Sequence, residues 1–292
     1  MSYPDVPTSF PPQGQSVQPG LEYTMNPRPI FDNLAWKGSG KLKNRVCIVT
    51  GGDSGIGRSA CCAYAKEGAK VVIAYLDEDT DAFETRDYIK EHYSDDVVLF
   101  PGDLRDQKES EKLVDFTMNE FGAINVLVNN HAVQYPQPDI FSITNEQLHD
   151  TFAVNVFSYF YLTRATLKHM GEWSSIINTT SIVAYRGSKS LLDYSATKGA
   201  LTSFTRSLAL QLADCNIRVN SLAPGPIWSP LIVASYGAVD EHSVSNFGGN
   251  TPMSRAGQPF ECAPAFVYLA SDDSRYVTGS CQHINGGDFI CV

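Results

Sequence analysis

The chain has 292 residues, long enough to bury a substantial core without disulfide or metal support. Hydrophobic residues make up 43% and charged residues 18%, an ordinary globular balance. Thirty-two acidic against 22 basic residues leave a net charge of −10, which argues against non-specific nucleic-acid binding and against a polybasic membrane patch.

Residues 1–40 differ from the rest. Pro4, Pro7, Pro11, Pro12, Pro19, Pro27 and Pro29 forbid regular helix, yet Tyr3, Phe10, Leu21, Tyr23, Phe31 and Trp36 are more apolar than a solvated linker needs. Two readings stand: an extended arm packed on its own domain or a neighbouring subunit, or a disordered tail. From residue 41 to 292 the pattern is a single domain of alternating strands and helices. Strands are expected at Arg45–Thr50, Lys70–Tyr75, Asp96–Pro101, Asn125–Asn129, Ser175–Thr179 and Arg218–Leu222, with a seventh ending at His283 and Ile284. The helices between them are Ile56–Gly68, Thr80–Tyr93, Gln107–Phe121, a long one from Asn145 to Met170, and Tyr194–Asp214. Continuous apolar strands joined by helices imply an α/β fold, a doubly wound parallel sheet of about seven strands with ligands at the carboxyl ends.

Seven scattered cysteines without a C-x-x-C pair suit reduced thiols in a cytoplasmic protein, and no metal site is expected. The N-terminus lacks the charged and apolar regions of a signal peptide, no apolar run reaches membrane-spanning length, and Ile290-Cys291-Val292 is not the peroxisomal tripeptide.

The first strand runs into Thr50-Gly51-Gly52-Asp53-Ser54-Gly55-Ile56-Gly57, a G-x-x-x-G-x-G turn opening a helix. Such a turn, followed by a helix N-terminus, suits a phosphate; taken alone it is also an ordinary strand-to-helix loop. Tyr194 and Lys198 stand four apart on one helix, and so on one face. A phenol is a poor base near neutrality, its reference pKa being about 10. A nearby ammonium favours the phenolate, so the pair suits proton transfer at a substrate oxygen; by itself it is also a common surface pair. Ser181 ends the preceding strand and is positioned to hold that oxygen.

These residues resemble the short-chain dehydrogenase/reductase family over nearly all of residues 41–292. The matching pieces are Thr50-Gly51-x-x-x-Gly55-x-Gly57, Asp103-Leu104, Asn129-Asn130, Asn155, Ser181, Tyr194-x-x-x-Lys198, Asn220 and Pro224-Gly225. Within it the chain is similar to the N-terminally extended stress-protein and aldehyde-reductase branch. The resemblance implies a Rossmann-type fold, a nicotinamide cofactor and a small carbonyl or alcohol substrate. It also implies a catalytic set of Asn155, Ser181, Tyr194 and Lys198, with Asn155 supporting Lys198 through a water, and a homodimer or homotetramer. Cofactor contacts are expected from Gly51, Asp53, Ser54, Gly55, Ile56, Gly57, Tyr75, Asp103 (at the adenine), Leu104, Asn130, His131, Tyr194, Lys198, Pro224, Gly225 and Ile227. The same scaffold could instead carry an isomerase, dehydratase or epimerase that binds cofactor without net redox, or a non-catalytic cofactor-binding protein.

One departure from the family is His131, where the pattern has Ala after Asn-Asn; it is either a packing substitution or a group reaching cofactor or substrate. The second strand ends in Tyr75-Leu76 rather than an acid, with Arg58 the nearest cation for a 2′-phosphate, so NADP(H) is favoured over NAD(H). Substrate contacts are expected from Gln134, Tyr135, Tyr185, Ser188 and a lid from Trp228 to Gly249 that includes Tyr236 and Phe247. The lid aromatics serve either the substrate or the lid's own packing.

Overall fold

The computed structural model describes residues 5–290; Tyr3 and Pro4 of the arm, and Cys291, lie outside them. Seven strands among these residues form one parallel sheet: β1 Val46–Thr50, β2 Lys70–Tyr75, β3 Val97–Pro101, β4 Val126–Asn129, β5 Ser175–Thr179, β6 Arg218–Pro224 and β7 Cys281–Ile284. Their order is β3-β2-β1-β4-β5-β6-β7. β1 pairs with β2 from Val46 opposite Lys70, and with β4 from Cys47 opposite Val126. The order in which strands are added therefore reverses between β1 and β4, which opens a crevice at their carboxyl ends. The doubly wound α/β fold read from the strand–helix alternation is the fold of the protein.

Helices cover both faces. On one lie α1 Gly55–Lys66 and α10 Pro259–Ala270; α2 Asp79–His92 flanks them. On the other are α3 Gln107–Phe121, α5 Ser158–Thr166 and α7 Leu192–Leu212. Ala60, Cys61, Cys62 and Ala63 of α1 are buried against Cys262, Ala263 and Phe266 of α10, and these small side chains let the two helices approach closely. Leu113, Leu162 and Leu208 fill the opposite layer. Four shorter helices, α4 Asn145–Phe152, α6 Val183–Arg186, α8 Pro230–Val233 and α9 Tyr236–Val239, surround the crevice.

Two local expectations are corrected. The sequence reading includes no helix over Pro259–Ala270, where the structure has one with Pro264 inside it. Pro259 in the first turn and the Gln258 N–H donating to Glu261 Oε2 at 2.8 Å start the helix nonetheless. The expected long helix to Met170 is broken: α4 ends at Phe152, a π-turn spans Ala153–Phe157, and α5 ends at Thr166. That π-turn carries Asn155, and such insertions recur where a helix must present a particular side chain inward.

Residues 5–40 lie along the domain without regular secondary structure apart from one turn of 3-10 helix at Glu22–Thr24. Phe31 and Trp36 pack against the α1–α10 layer, while Phe10 and Met25 are buried with Trp228, Ile232 and Val233.

Candidate active site

The carboxyl ends of β1 to β6 open onto one cavity of about 350 Å³. Gly51, Asp53, Ser54, Gly55 and Ile56 line it from the turn after β1. Gly57 does not; a Cβ there would lie 1.8 Å from the Gly51 carbonyl oxygen, so this glycine serves the packing of α1 onto its own turn. Ser54 occupies the N-cap without a side-chain cap hydrogen bond, and the Glu22 carboxylate takes the Gly55 N–H at 2.6 Å, which leaves the next backbone donors, at Ile56 and Gly57, for an anionic group. The turn thus fits the pyrophosphate of a dinucleotide.

Beyond β2 the wall is acidic. Tyr75, Leu76, Glu78 and Asp53 line it, and the Tyr75 hydroxyl donates to Asp79 Oδ1 at 2.7 Å. Asp53 and Glu78 are both buried; burial and then repulsion from Glu78 push the Asp53 carboxyl up to about 8, and burial raises that of Glu78. Arg58, the expected cation for a 2′-phosphate, is corrected here because it does not face the cavity. Its Nη1 donates to Glu22 Oε1 at 2.8 Å, and its guanidinium lies 3.9 Å over the Phe31 ring. Both partners belong to the arm. Asp103 and Leu104 line the cavity after β3, with the Asp103 carboxylate held by Arg105 Nη2 at 2.6 Å and lowered by that hydrogen bond.

At the other end stand Ser181, Tyr194 and Lys198, all in the cavity wall. Tyr194 sits in the first turn of α7 and is 7% exposed. Burial pushes its phenol up, opposed by the Ser181 hydroxyl beside it. Lys198 is 1% exposed; its Nζ donates to the Thr179 carbonyl at 2.9 Å and lies 5.4 Å from the Tyr194 ring centre. Burial pulls its ammonium down to about 7. The chain alone therefore keeps the phenol protonated, ready to donate.

Asn155 is fully buried behind this wall. Its Oδ1 accepts from Val133 N at 2.9 Å, and its Nδ2 donates to Val133 O at 2.9 Å and Thr197 Oγ1 at 3.2 Å. It ties the loop after β4 to α7 one residue before Lys198. Asn130 Nδ2 donates to Thr50 O at 3.2 Å, joining the same loop to the glycine turn.

His131 is held by both ring nitrogens. Nδ1 lies 2.7 Å from Thr50 Oγ1 and Nε2 2.8 Å from Ser158 Oγ. The Ser158 hydroxyl donates to Val154 O, so the assigned tautomer carries its proton on Nε2 and accepts from Thr50 at Nδ1. Burial, then the Lys198 charge, lowers the imidazole to about 3. It is neutral at physiological pH and acts as a brace between β1 and the helix after the π-turn. His131→Ala removes one hydrogen bond from each of two hydroxyls, which keep Val128 O and Val154 O as backbone partners, so the loss is about 0.5–1.5 kcal/mol per bond plus the cavity the ring leaves. Thermal melts should show a lowered Tm, with both KM values within threefold of wild type; a tenfold KM change at unchanged Tm would assign His131 to ligand binding instead.

Pro224, Gly225 and Ile227 line the cavity opposite the turn, as do Gln134 and Tyr135. Trp228, Tyr185 and Ser188 do not, which corrects three expected substrate contacts. Trp228 is fully buried, stacked on Phe10 of the arm at 3.7 Å, and donates from Nε1 to Pro27 O at 2.9 Å. Tyr185 packs between His283 and Phe289. The lid supplies Tyr236 and Phe247, and the sequence reading missed Leu191 and the arm residues Gln18 and Pro19. Nothing in a proline-rich segment marks one glutamine as a cavity residue.

Comparisons with known proteins identify the family. Residues 51–288 match a family model described as enoyl-(acyl carrier protein) reductase. General stress protein 39 of Bacillus subtilis is 47% identical over 286 residues, covering 98% of this chain and 99% of its own. NADPH-dependent aldehyde reductase 1, chloroplastic, of Arabidopsis thaliana is 50% identical over 284 residues, covering 95% and 98%. Among solved structures, 3-ketoacyl-(acyl-carrier-protein) reductase of Brucella melitensis complexed with NADH superposes with a TM-score of 0.77 at 29% identity, over 85% of this chain and 100% of that one. With its glycine turn, its buried Tyr194–Lys198 pair and relatives matched end to end, the chain belongs to the short-chain dehydrogenase/reductase family and is an oxidoreductase.

Proposed function

We propose that the protein reduces a small carbonyl compound to the alcohol, with Tyr194 donating the proton to the substrate oxygen. The observation that carries this is the half-buried Ser181 with the buried Tyr194 and Lys198 in the wall of the cavity that also holds the glycine turn. Bound there, a nicotinamide cofactor supplies the hydride. The turn from Gly51 to Ile56 would hold its pyrophosphate, Asp103 and Leu104 its adenine side, and Pro224 to Ile227 its nicotinamide side. Ser181 orients the carbonyl oxygen toward the phenol, and Lys198, buried beside Tyr194, carries charge that stabilises the phenolate left after transfer. The burial that holds the phenol protonated supports the reductive direction.

The acidic wall supports NAD(H) as the preferred cofactor, reversing the leaning drawn from the sequence. Arg58 is already committed to Glu22 and offers nothing to a 2′-phosphate, while the Asp53 and Glu78 carboxyls on this wall can bond ribose hydroxyls in either protonation state. Hydroxyl partners without a free cation favour the unphosphorylated ribose. Apolar side chains exposed on α4, α5 and α7, among them Leu148, Phe160 and Leu210, support a homo-oligomer.

An aldehyde and ketone panel followed at the reduced-nicotinamide absorbance tests both readings. Turnover of at least one carbonyl class is expected, with kcat/KM at least tenfold higher for NADH than for NADPH. A tenfold preference for NADPH would overturn the cofactor assignment, and cofactor cycling without net oxidation would overturn the reductase itself.

A further inference from the structure

We propose that the N-terminal arm is part of the substrate site: Gln18 clamps the lid to the substrate loop and, with Pro19, walls the substrate end of the cavity. The chemical class of substrate rests on the carbonyl reading above; the clamp itself does not.

The arm is moored on either side of Gln18. Upstream, Phe10 N donates to Ser245 O at 3.0 Å, Gln13 N to Glu241 O at 3.1 Å and Gln15 N to Val233 O at 3.2 Å, all in the lid. Downstream, the Glu22 carboxylate accepts from Gly55 N at 2.6 Å and from Arg58, while Glu22 N and Tyr23 N donate to Asp81 at 2.7 and 2.9 Å. The arm thus crosses from the lid to the cofactor turn, and Gln18 and Pro19 bridge the gap at the cavity. There Gln18 Nε2 donates to Gln134 O at 3.0 Å and to Ala234 O at 2.6 Å, one carbonyl on the loop after β4 and one on the lid.

The seating demands small residues. A Cβ on Gly14 would lie 2.3 Å from the Gly237 carbonyl oxygen, and one on Gly237 would lie 2.4 Å from the Gln13 carbonyl oxygen. Arm and lid backbones touch at a glycine on each side, a fit that a loosely draped tail would not need.

Immobilising the lid fixes the width of the space facing Tyr194. The side chains around it are Leu191, Tyr236 and Phe247, with Gln134 at the floor. A fixed wall rejects bulky substrates by steric exclusion, whereas a free lid would yield to them. The clamp therefore limits substrate size.

The test uses three full-length variants. Gln18→Ala removes the clamp; Gln18→Glu keeps the size but sets a carboxylate against two carbonyl oxygens; Gly14→Val unseats the arm outside the cavity. The readouts are amide hydrogen exchange over residues 228–249, cofactor Kd by quenching, and kcat/KM across an aldehyde series from two carbons to a bulky aromatic. Expected in all three are lid exchange at least tenfold faster, cofactor Kd within threefold, and a selectivity ratio shifted at least fivefold toward the bulky aldehyde. Unchanged lid exchange in the two Gln18 variants would overturn the clamp, whatever the activity. Faster exchange with an unchanged selectivity ratio would overturn the size limit. Absence of turnover with every aldehyde and ketone in wild type would sink the carbonyl reading alone, leaving exchange to decide the clamp.

Discussion

Tyr194→Phe should lower kcat for carbonyl reduction by about 10³-fold, within the range of roughly 10² to 10⁴ that a positioned proton donor contributes. The substitution removes one oxygen from a side chain that is 7% exposed and leaves the ring packed with Ile182, Val183 and Leu191. Fold and cofactor binding should therefore survive, with Tm within a few degrees and cofactor Kd within threefold. Ser181 remains to hold the carbonyl, so KM should move far less than kcat, the pattern of an interaction made mainly in the transition state. The pH profile gives a second check. Burial raises the phenol above its ordinary value, so the proton-loaded form persists through neutrality, and reduction should decline only on the alkaline side. A Tyr194→Phe variant that retained more than a tenth of wild-type kcat would remove Tyr194 from the chemistry.

How far the sequence reached is instructive at the level of single residues. The strands were legible because a sheet covered on both faces needs unbroken β-branched runs, and Val46–Thr50 and Lys70–Tyr75 supply them. The cavity was legible because strand ends converge, so Gly51, Ser181 and Pro224 could be placed together from their positions alone. Arg58 shows where this logic stops. Its spacing from the glycine turn suits a phosphate contact, but Glu22 and Phe31 take both its charge and its face. Trp228 follows the same rule: beside the nicotinamide stretch in sequence, it is turned away by Phe10. These misplacements trace to the arm, whose contacts obey no helical or strand period. The break at Asn155 has a different cause. A π-turn adds a residue to the spiral while keeping helical dihedral angles, so composition carries no trace of it.

Lys198→Met should raise the stability of the cofactor-free protein while abolishing reduction. Lys198 is among the largest fully buried side chains, and its ammonium has one protein hydrogen bond, to Thr179 O. Burial lowers it from 10.5 to about 7, and each unit corresponds to about 1.36 kcal/mol, so the folded state bears a cost on the order of 5 kcal/mol near neutrality. Met fills a similar volume without a charge and forfeits that hydrogen bond, worth about 1 kcal/mol net with more for leaving a buried carbonyl unpaired. A gain of about 2 kcal/mol remains, or a Tm higher by about 3 °C for a domain of this size. The pH dependence follows from the direction of the shift. Between about 7 and 10.5 the unfolded chain holds the proton that the folded chain has lost, so wild-type stability from this group rises with pH through that window. The advantage of Met should be fully present below pH 7 and shrink toward pH 10.5. An equal or lower Tm at pH 7, or a gap independent of pH, would mean that Lys198 is compensated in the empty site. The expected gap instead makes the lysine a charge held in reserve, its burial cost offset only when a phenolate or a bound anion stands beside it.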